Sequence, residues 1–360
     1  MKLSEIRSEG CDVQAWADKG YELPKFHLEA VRQKTHDEPT WIHFGAGNIF
    51  RAFPAALLQR VLDAGAYDRG VIVAEGFDYE IIDKAYRPYD NMSLLVLLKS
   101  DGSIEKRVVA SVTESLKADP QFGADWDRLV EIFRKPSLQM VSFTITEKGY
   151  SVSPADLERG AEPQLIMGKV TALLYERYQA GALPITVQSM DNCSHNGDKV
   201  KAAVFAYASK WVEQGLVPAE FLAYVKDETK ITFPWSMIDK IVPRPSKVVE
   251  ESLTADGIEG MEAIVTKKGG YTAAFVNAER PQYLVIEDKF PNGRPPLEKA
   301  GVMFADRQTV EQVERMKVST CLNPVHTGLA VFGCLLGFTK ISAEMQDPDL
   351  KRLAGRIGRG

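Results

Sequence analysis

Residues 41–53, WIHFGAGNIFRAF, constrain the fold more than any other stretch. WIHF is an apolar run of strand length, and Gly45-Ala46-Gly47 is a tight turn. Phe53, Leu57, Leu58, Val61 and Leu62 then recur at helical spacing. A strand that passes through glycines directly into a helix is the opening unit of an open, mostly parallel sheet. VIVAEGF and SLQMVSFTI add short apolar strands in alternation with helical segments. PITVQSM leads through DNCSHNG into a helix whose Val200, Val204, Tyr207 and Trp211 share one face. The expected fold class is therefore α/β. MSLLVLLKSDGSIEKRVVASV is apolar on both sides of Ser100-Asp101-Gly102-Ser103, turn chemistry that predicts a hairpin inserted in the sheet, making it mixed. Residues 1–40 read as a charged arm and 41–285 as the sheet domain. Beyond the proline- and charge-rich stretch near residue 285, 286–360 read as a predominantly helical domain.

The glycine turn suits a dinucleotide. Gly45 and Gly47 let backbone approach a pyrophosphate, and the helix start at Asn48, Ile49, Phe50 and Arg51 supplies N–H groups. The third glycine of the fingerprint would fall at Phe50, so helix–strand packing there must differ. VIVAE ends at Glu75, whose carboxylate can accept a ribose diol and would repel a 2′-phosphate, favouring NAD; Asp78 is the alternative for that role. Two polar segments follow strands at the edge where open sheets bind ligands. TITEKGY carries Thr146, and MDNCSHNG carries Asp191, Asn192, Ser194, His195 and Asn196. Each is also readable as turn chemistry, but the convergence of two such loops on one sheet edge favours a site. FPWSMIDKIVPRP places Asp239 and Lys240 on an expected helix closing at Pro243; Lys240 and Arg244 are candidate anion partners or surface charges.

A formal net charge of −5, of mixed and dispersed signs, points away from nucleic acid and acidic membrane surfaces, leaving a small molecule as the expected partner. The cysteines Cys11, Cys193, Cys321 and Cys334 form no CxxC pair, which argues against a disulfide framework or structural zinc, and no metal is expected. The longest apolar run, near 328–338, is too short to span a bilayer and the N-terminus lacks a secretory stretch, so a soluble cytoplasmic protein is expected, monomer or homodimer.

ERMKVSTCLNPVHTGLAVFGCLLGF, residues 314–338, remains. Pro324 disfavours helical geometry at residue 323, so one helix ends by Leu322 and another begins with Asn323 as cap. His326 and the apolar residues after it read as a largely buried helix. Lys317 either complements the dipole of a helix starting near Arg307 or, desolvated in a pocket, serves as a base.

Together GAGNIFRA, TITEKGY, SMDNCSHNG, PWSMIDKI and K…LNPVH resemble the polyol-specific long-chain dehydrogenases, the mannitol dehydrogenase and D-mannonate oxidoreductase (fructuronate reductase) group, from about Trp41 to Phe338. The resemblance implies an N-terminal Rossmann-like domain, a helical C-terminal substrate domain, and metal-independent hydride transfer between NAD and a secondary alcohol. It places the general acid/base on Lys317, the groups holding the substrate oxygen on Asn192, Asn323 and His326, and an acidic proton relay on Glu314. Substrate contacts fall on His195, Asp239 and Lys240. The pair implied first is D-mannonate and D-fructuronate. Mannitol with fructose, tagaturonate reduction and NAD-assisted uronate epimerisation are the alternatives. Two features depart from the family: five residues rather than the usual four separate Lys317 from Asn323, and 34 residues follow His326, so a reduced or shortened helical domain is expected.

Overall fold

A computed structural model describes residues 1–7, 10–99, 102–160 and 162–358. Ser100 and Asp101 of the expected hairpin turn lie outside the described residues. The chain divides into two compact units, Met1–Phe304 and Ala305–Gly360.

In the first unit six strands form one sheet in the order Val112–Lys117, Val71–Glu75, Trp41–Phe44, Met140–Phe143, Ile185–Ser189, Ile231–Thr232. Every neighbouring pair is parallel. Numbered along the chain, the order is 3-2-1-4-5-6, the doubly wound arrangement, with its switch point between Trp41–Phe44 and Met140–Phe143. Both faces of such a sheet are covered, which is why these strands are continuous apolar runs. Alternate residues enter different cores. Trp41, Val71 and Val73 pack with Phe53, Leu58 and Val61, whereas Ile42, Phe44, Ile72 and Ala74 pack with Phe133, Leu174 and Val204. Each fully buried side chain of this kind contributes about 1.5–3 kcal/mol. Val200, Val204, Tyr207 and Trp211 are buried on one face of the helix Asn196–Glu213, as their spacing predicts.

The hairpin forms, but not in that sheet. Ser93–Leu98 and Ile104–Val109 pair antiparallel and join a separate four-stranded sheet with Tyr21–Glu22 and Phe275–Glu279. The reason is burial on both faces: Leu95 packs in the core of Phe53 and Leu58, while Leu94 and Val96 face a third cluster with Leu3, Trp16 and Tyr21. The main sheet is therefore purely parallel, and residues 1–40 are built into this unit rather than forming a loose arm. The division expected at 285 falls at 304. Gln282–Glu287 pairs along its length with Ser236–Lys240, and Leu297, Ala300 and Val302 join the first core, so no break can occur before them. Asp239 and Lys240 lie on that strand, not on a helix, because Ser236–Lys240 finds a full ladder of partners from Ser236–Ile286 to Lys240–Gln282.

One histidine is buried in the central strand. His43 Nδ1 lies 2.6 Å from Ser142 Oγ and Nε2 2.8 Å from Thr144 Oγ1, with its ring stacked on Phe50 at 4.2 Å. Burial pushes its pKa down to about 3. The folded pKa lies below the unfolded value of about 6.5, so this histidine's contribution is complete above pH 6.5 and is lost as pH falls towards 3. Between pH 6 and 4 the unfolding free energy should fall about 1.4 kcal/mol per pH unit faster in the wild type than in His43→Gln, measured by urea denaturation. Parallel pH profiles would refute a buried, neutral His43.

The second unit is helical: Arg307–Met316, a π turn over Lys317–Cys321, Asn323–Leu335, Ile341–Glu344 and Pro348–Ile357. The Asp306 carboxylate accepts from Thr309 N at 2.7 Å, and Asp347 caps the last helix through Asp349 N and Leu350 N. Leu329, Leu350 and Ala354 form its small core. The helix Asn323–Leu335 is less buried than expected: only Leu329 and Gly333 are buried, while Phe332 is 48% and Leu335 76% exposed. Its apolar residues outnumber the positions that one short packing partner can cover. By length and composition alone the continuous helical stretch Arg307–Leu335 could cross a bilayer. Asn323, Pro324 and His326 within it are poorly suited to that setting.

Candidate active site

The glycine loop continues the strand Trp41–Phe44, with Gly45 N donating to Ala74 O at 2.9 Å. The two glycines do different things. Gly45 has φ +106, and a Cβ there would lie 2.3 Å from Thr144 O, so only glycine lets the loop pass this close to the neighbouring strand's end. Gly47 has ordinary extended backbone, φ −75 and ψ −178, and a Cβ there would meet nothing within 4 Å. Its space is open to a ligand.

The helix after the loop runs only Asn48–Ala52, breaks at Phe53 and resumes as Pro54–Asp63. Phe50, at the missing third glycine, is fully buried against His43, so flat rings stack where a glycine would otherwise let helix and strand touch. Phe50 and Arg51 therefore do not face a ligand. Arg51 is 1% exposed and donates to Ala273 O, Thr272 Oγ1 and Asn48 Oδ1, fastening the loop from behind. Asn48 is partly spent in the same tie, donating to Tyr271 O at 3.2 Å.

Glu75 is buried and its carboxylate accepts from three backbone donors: Ala46 N at 2.8 Å, Phe77 N at 2.9 Å and Asp78 N at 3.1 Å. Burial raises its pKa and these donors oppose the rise. Its first task is thus to clamp the glycine loop to the turn after Val71–Glu75. The alternative acid, Asp78, accepts from Thr266 Oγ1. Behind this turn Lys169, 2% exposed, donates to Asp119 Oδ2 and Tyr79 Oη, and Tyr79 donates to Asp119.

A cavity of about 630 Å³ opens at this edge, lined by Gly45, Gly47, Glu75, Phe77, Thr146 and Lys268 among others. A second recess of about 290 Å³ shares Thr144 and Thr146 with it and is lined by Ile49, Asp191, Asn192, Asp239 and Lys240. Both lie where the doubly wound order places ligands. Thr146 holds φ +64, and Asp191 explains how: its carboxylate accepts from Ile145 N and Thr146 N, each at 2.9 Å, and from Tyr150 Oη. Asp191, its pKa raised by burial, thus shapes the loop while Asn192 beside it is exposed at the recess. Asn196, fully buried, ties that loop to Ser236 through both ends of its amide. His195, at φ +49, stacks on Trp235 at 4.1 Å.

Lys240 donates to Glu279 O, Arg280 O and Gln282 Oε1, and burial with the nearby Arg60 charge pushes its pKa down to about 8. Arg244 is exposed.

The remaining candidates belong to the second unit. Lys317, half-buried, opens the π turn, closed by Leu322 N donating to Lys317 O at 2.7 Å. Glu314 lies one turn earlier. Leu322, not Asn323, stands at the cap position of the next helix, and no side chain caps it, so the exposed Asn323 amide has no capping role. His326 is exposed rather than buried. Among the described residues no group of three or more His, Cys, Asp or Glu is placed to hold a metal. The roles of Asp191, Tyr150 and the Lys169–Asp119–Tyr79 group were not singled out from sequence. Asp191, Tyr150, Tyr79 and Asp119 have one visible trace, position after strand ends, and Lys169, inside the helix Ile166–Gln179, has none; the partners are distant in the chain.

Residues 39–299 match the family described as mannitol dehydrogenase Rossmann domain. The chain is 54% identical to a D-mannonate oxidoreductase of Thermotoga maritima, over 96% of this chain and 66% of the relative. It is 28% identical to a polyol:NADP oxidoreductase of Gluconobacter oxydans, over 92% of this chain and 64% of the relative. Among solved structures it resembles a Pseudomonas fluorescens mannitol 2-dehydrogenase in ternary complex with NAD and D-mannitol. The TM-score is 0.72 and the identity 27%, with 93% of this chain and 65% of that one covered. The chain spans about two thirds of the length of the curated relatives it matches.

Proposed function

The chain belongs to the mannitol dehydrogenase family, and from that premise we propose that it is an NAD-dependent oxidoreductase interconverting D-mannonate and D-fructuronate. The observation that carries the substrate is the 54% identity to a D-mannonate oxidoreductase over 96% of the chain. The open space at Gly47, the close approach at Gly45 and the cavity at the switch point fit a dinucleotide. Gly45, Gly47, Asn48, Ile49, Glu75, Thr146 and Asn192 would hold it. Bound, the nicotinamide supplies the hydride acceptor in oxidation and the hydride donor in reduction.

The rest of the chemistry is the chain's own. In oxidation Lys317 takes the proton of the carbinol hydroxyl, and in reduction it returns a proton to the carbonyl oxygen. Asn323 and His326, in the same unit as Lys317, donate to that oxygen as negative charge develops on it, and Asn192 serves at the recess of the first unit. Glu314, three residues before Lys317 and thus on the same helical face, passes the proton to solvent. Asp239 and Lys240, at the recess beside Asn192, contact the rest of the sugar acid. His195 contributes through its stack on Trp235 rather than from the recess wall. Among the described residues Cys11, Cys193, Cys321 and Cys334 form no disulfide, which suits a reducing cytoplasm, and the working form is a monomer or homodimer with a small-molecule partner.

The test is loss of NADH absorbance with D-fructuronate, tagaturonate and fructose in parallel. Fastest turnover of fructuronate supports the reading. Faster fructose turnover would make it a mannitol dehydrogenase, uronate isomerisation without net NADH change an epimerase, and NADH binding with no turnover of any sugar would sink the reading.

A further inference from the structure

We propose that Lys268 binds the 2′-phosphate of NADP, so that the chain accepts NADP as well as NAD; this rests on the reading that the switch-point cavity holds a dinucleotide. The strands Ile264–Val265 and Tyr271–Thr272 pair antiparallel, and their turn is closed by Thr266 N to Gly270 O at 2.9 Å and Gly269 N to Thr266 O at 3.0 Å. This places two lysines and two glycines at the tip of a hairpin. The tip is fastened to the segment following Val71–Glu75. Lys268 Nζ donates to Phe77 O at 2.6 Å, Lys267 N donates to Glu80 Oε2 at 3.2 Å, and Thr266 Oγ1 donates to Asp78. Lys268 Nζ also sits 4.0 Å from the centroid of the Phe77 ring, which is 67% exposed. Lys268, Gly269 and Gly270 line the same cavity as the glycine loop.

In doubly wound sheets the end of the second strand meets the adenosine ribose: an acid there takes the 2′-hydroxyl, and a cation beside it accommodates a 2′-phosphate. Sequence favoured NAD because Glu75 would repel that phosphate. The structure leaves that charge in place but shows where it is held. Both oxygens of Glu75 are turned onto backbone donors, Asp78 is turned onto Thr266, and Glu80 pairs with Lys84 and Lys267. Among the described residues Lys268 has no carboxylate within salt-bridge distance, and one of its three N–H donors is given to Phe77 O. The ammonium thus keeps donors and charge for an anion at this end of the cavity.

Direct binding tests this without turnover. NADPH and NADH are titrated against the full chain by nucleotide fluorescence, and bound NADH is displaced with 2′,5′-ADP or 5′-AMP. NADPH binding, with stronger displacement by 2′,5′-ADP than by 5′-AMP, is the expected result. Lys268→Ala should weaken NADPH about tenfold more than NADH, the loss expected for one charge-assisted hydrogen bond. Lys268→Arg should retain NADPH. NADH binding without NADPH binding, or an equal loss of both in Lys268→Ala, would overturn the assignment while leaving the dinucleotide reading intact. Binding of neither would overturn both. Lys268 is exposed on a two-strand hairpin, and circular dichroism of the variant confirms the fold before titration.

Discussion

Lys317→Ala should lower turnover by about two to four powers of ten, because a positioned general acid/base contributes roughly that much. The substitution separates chemistry from structure cleanly. Lys317 is half-buried at the start of a π turn whose closing bond, Leu322 N to Lys317 O, is backbone to backbone and survives loss of the side chain. Stability should therefore change by no more than about 0.5 kcal/mol, as for most surface substitutions. Dinucleotide binding should persist, since every residue lining the switch-point cavity lies between Gly45 and Gly270. Lys317→Arg should be almost as impaired, because a guanidinium keeps the charge but does not release its proton near neutrality. The measurements are steady-state NADH oxidation with D-fructuronate, NADH titration and thermal melting of the same samples. A rate within threefold of wild type would end the assignment of Lys317 as the acid/base.

How far these features were legible from sequence depends on how local each one is. The strand–glycine–helix opening, the apolar strands and the helix face of Val200, Val204, Tyr207 and Trp211 follow from periodicity within short windows, and they stand in the structure. What periodicity could not supply was partnership. Ser236–Lys240 reads as helix in isolation and becomes a strand because Gln282–Glu287, more than forty residues later, pairs with it. The hairpin is visible from its turn, but its exclusion from the main sheet depends on two cores meeting across it. At the site the pattern repeats. Gly45 and Gly47 were evident as residue types, yet only Thr144 O, a hundred positions away, shows why Gly45 must be glycine. Glu75 was found, but its hydrogen bonds to Ala46, Phe77 and Asp78 change what it does. The five residues between Lys317 and Asn323 are spanned largely by the π turn Lys317–Cys321, a local form that periodicity does not predict.

Gly45→Ala and Gly47→Ala should both weaken NADH binding but differ in stability, although they lie two residues apart. At Gly45 a methyl group would sit 2.3 Å from Thr144 O, a backbone atom that cannot swing aside, on a residue held at φ +106. Relief requires separating the ends of Trp41–Phe44 and Met140–Phe143, the pair that forms the switch point. Overpacking costs about 1–3 kcal/mol and the left-handed conformation about 1–2 more, so a loss of roughly 2–5 kcal/mol is expected. NADH affinity should fall at least about tenfold, since a shift of one ångström in a positioned site is costly. At Gly47 a methyl group meets no protein atom and φ is −75, so stability should stay within about 0.5 kcal/mol of wild type. NADH affinity should nevertheless fall, because the space that the methyl group takes is the space that the ligand needs. Urea denaturation and NADH titration on both variants decide the matter. If Gly47→Ala is as stable as wild type and binds NADH equally well, this loop does not hold the dinucleotide. If Gly45→Ala is fully stable, the close approach to Thr144 is not what demands glycine there.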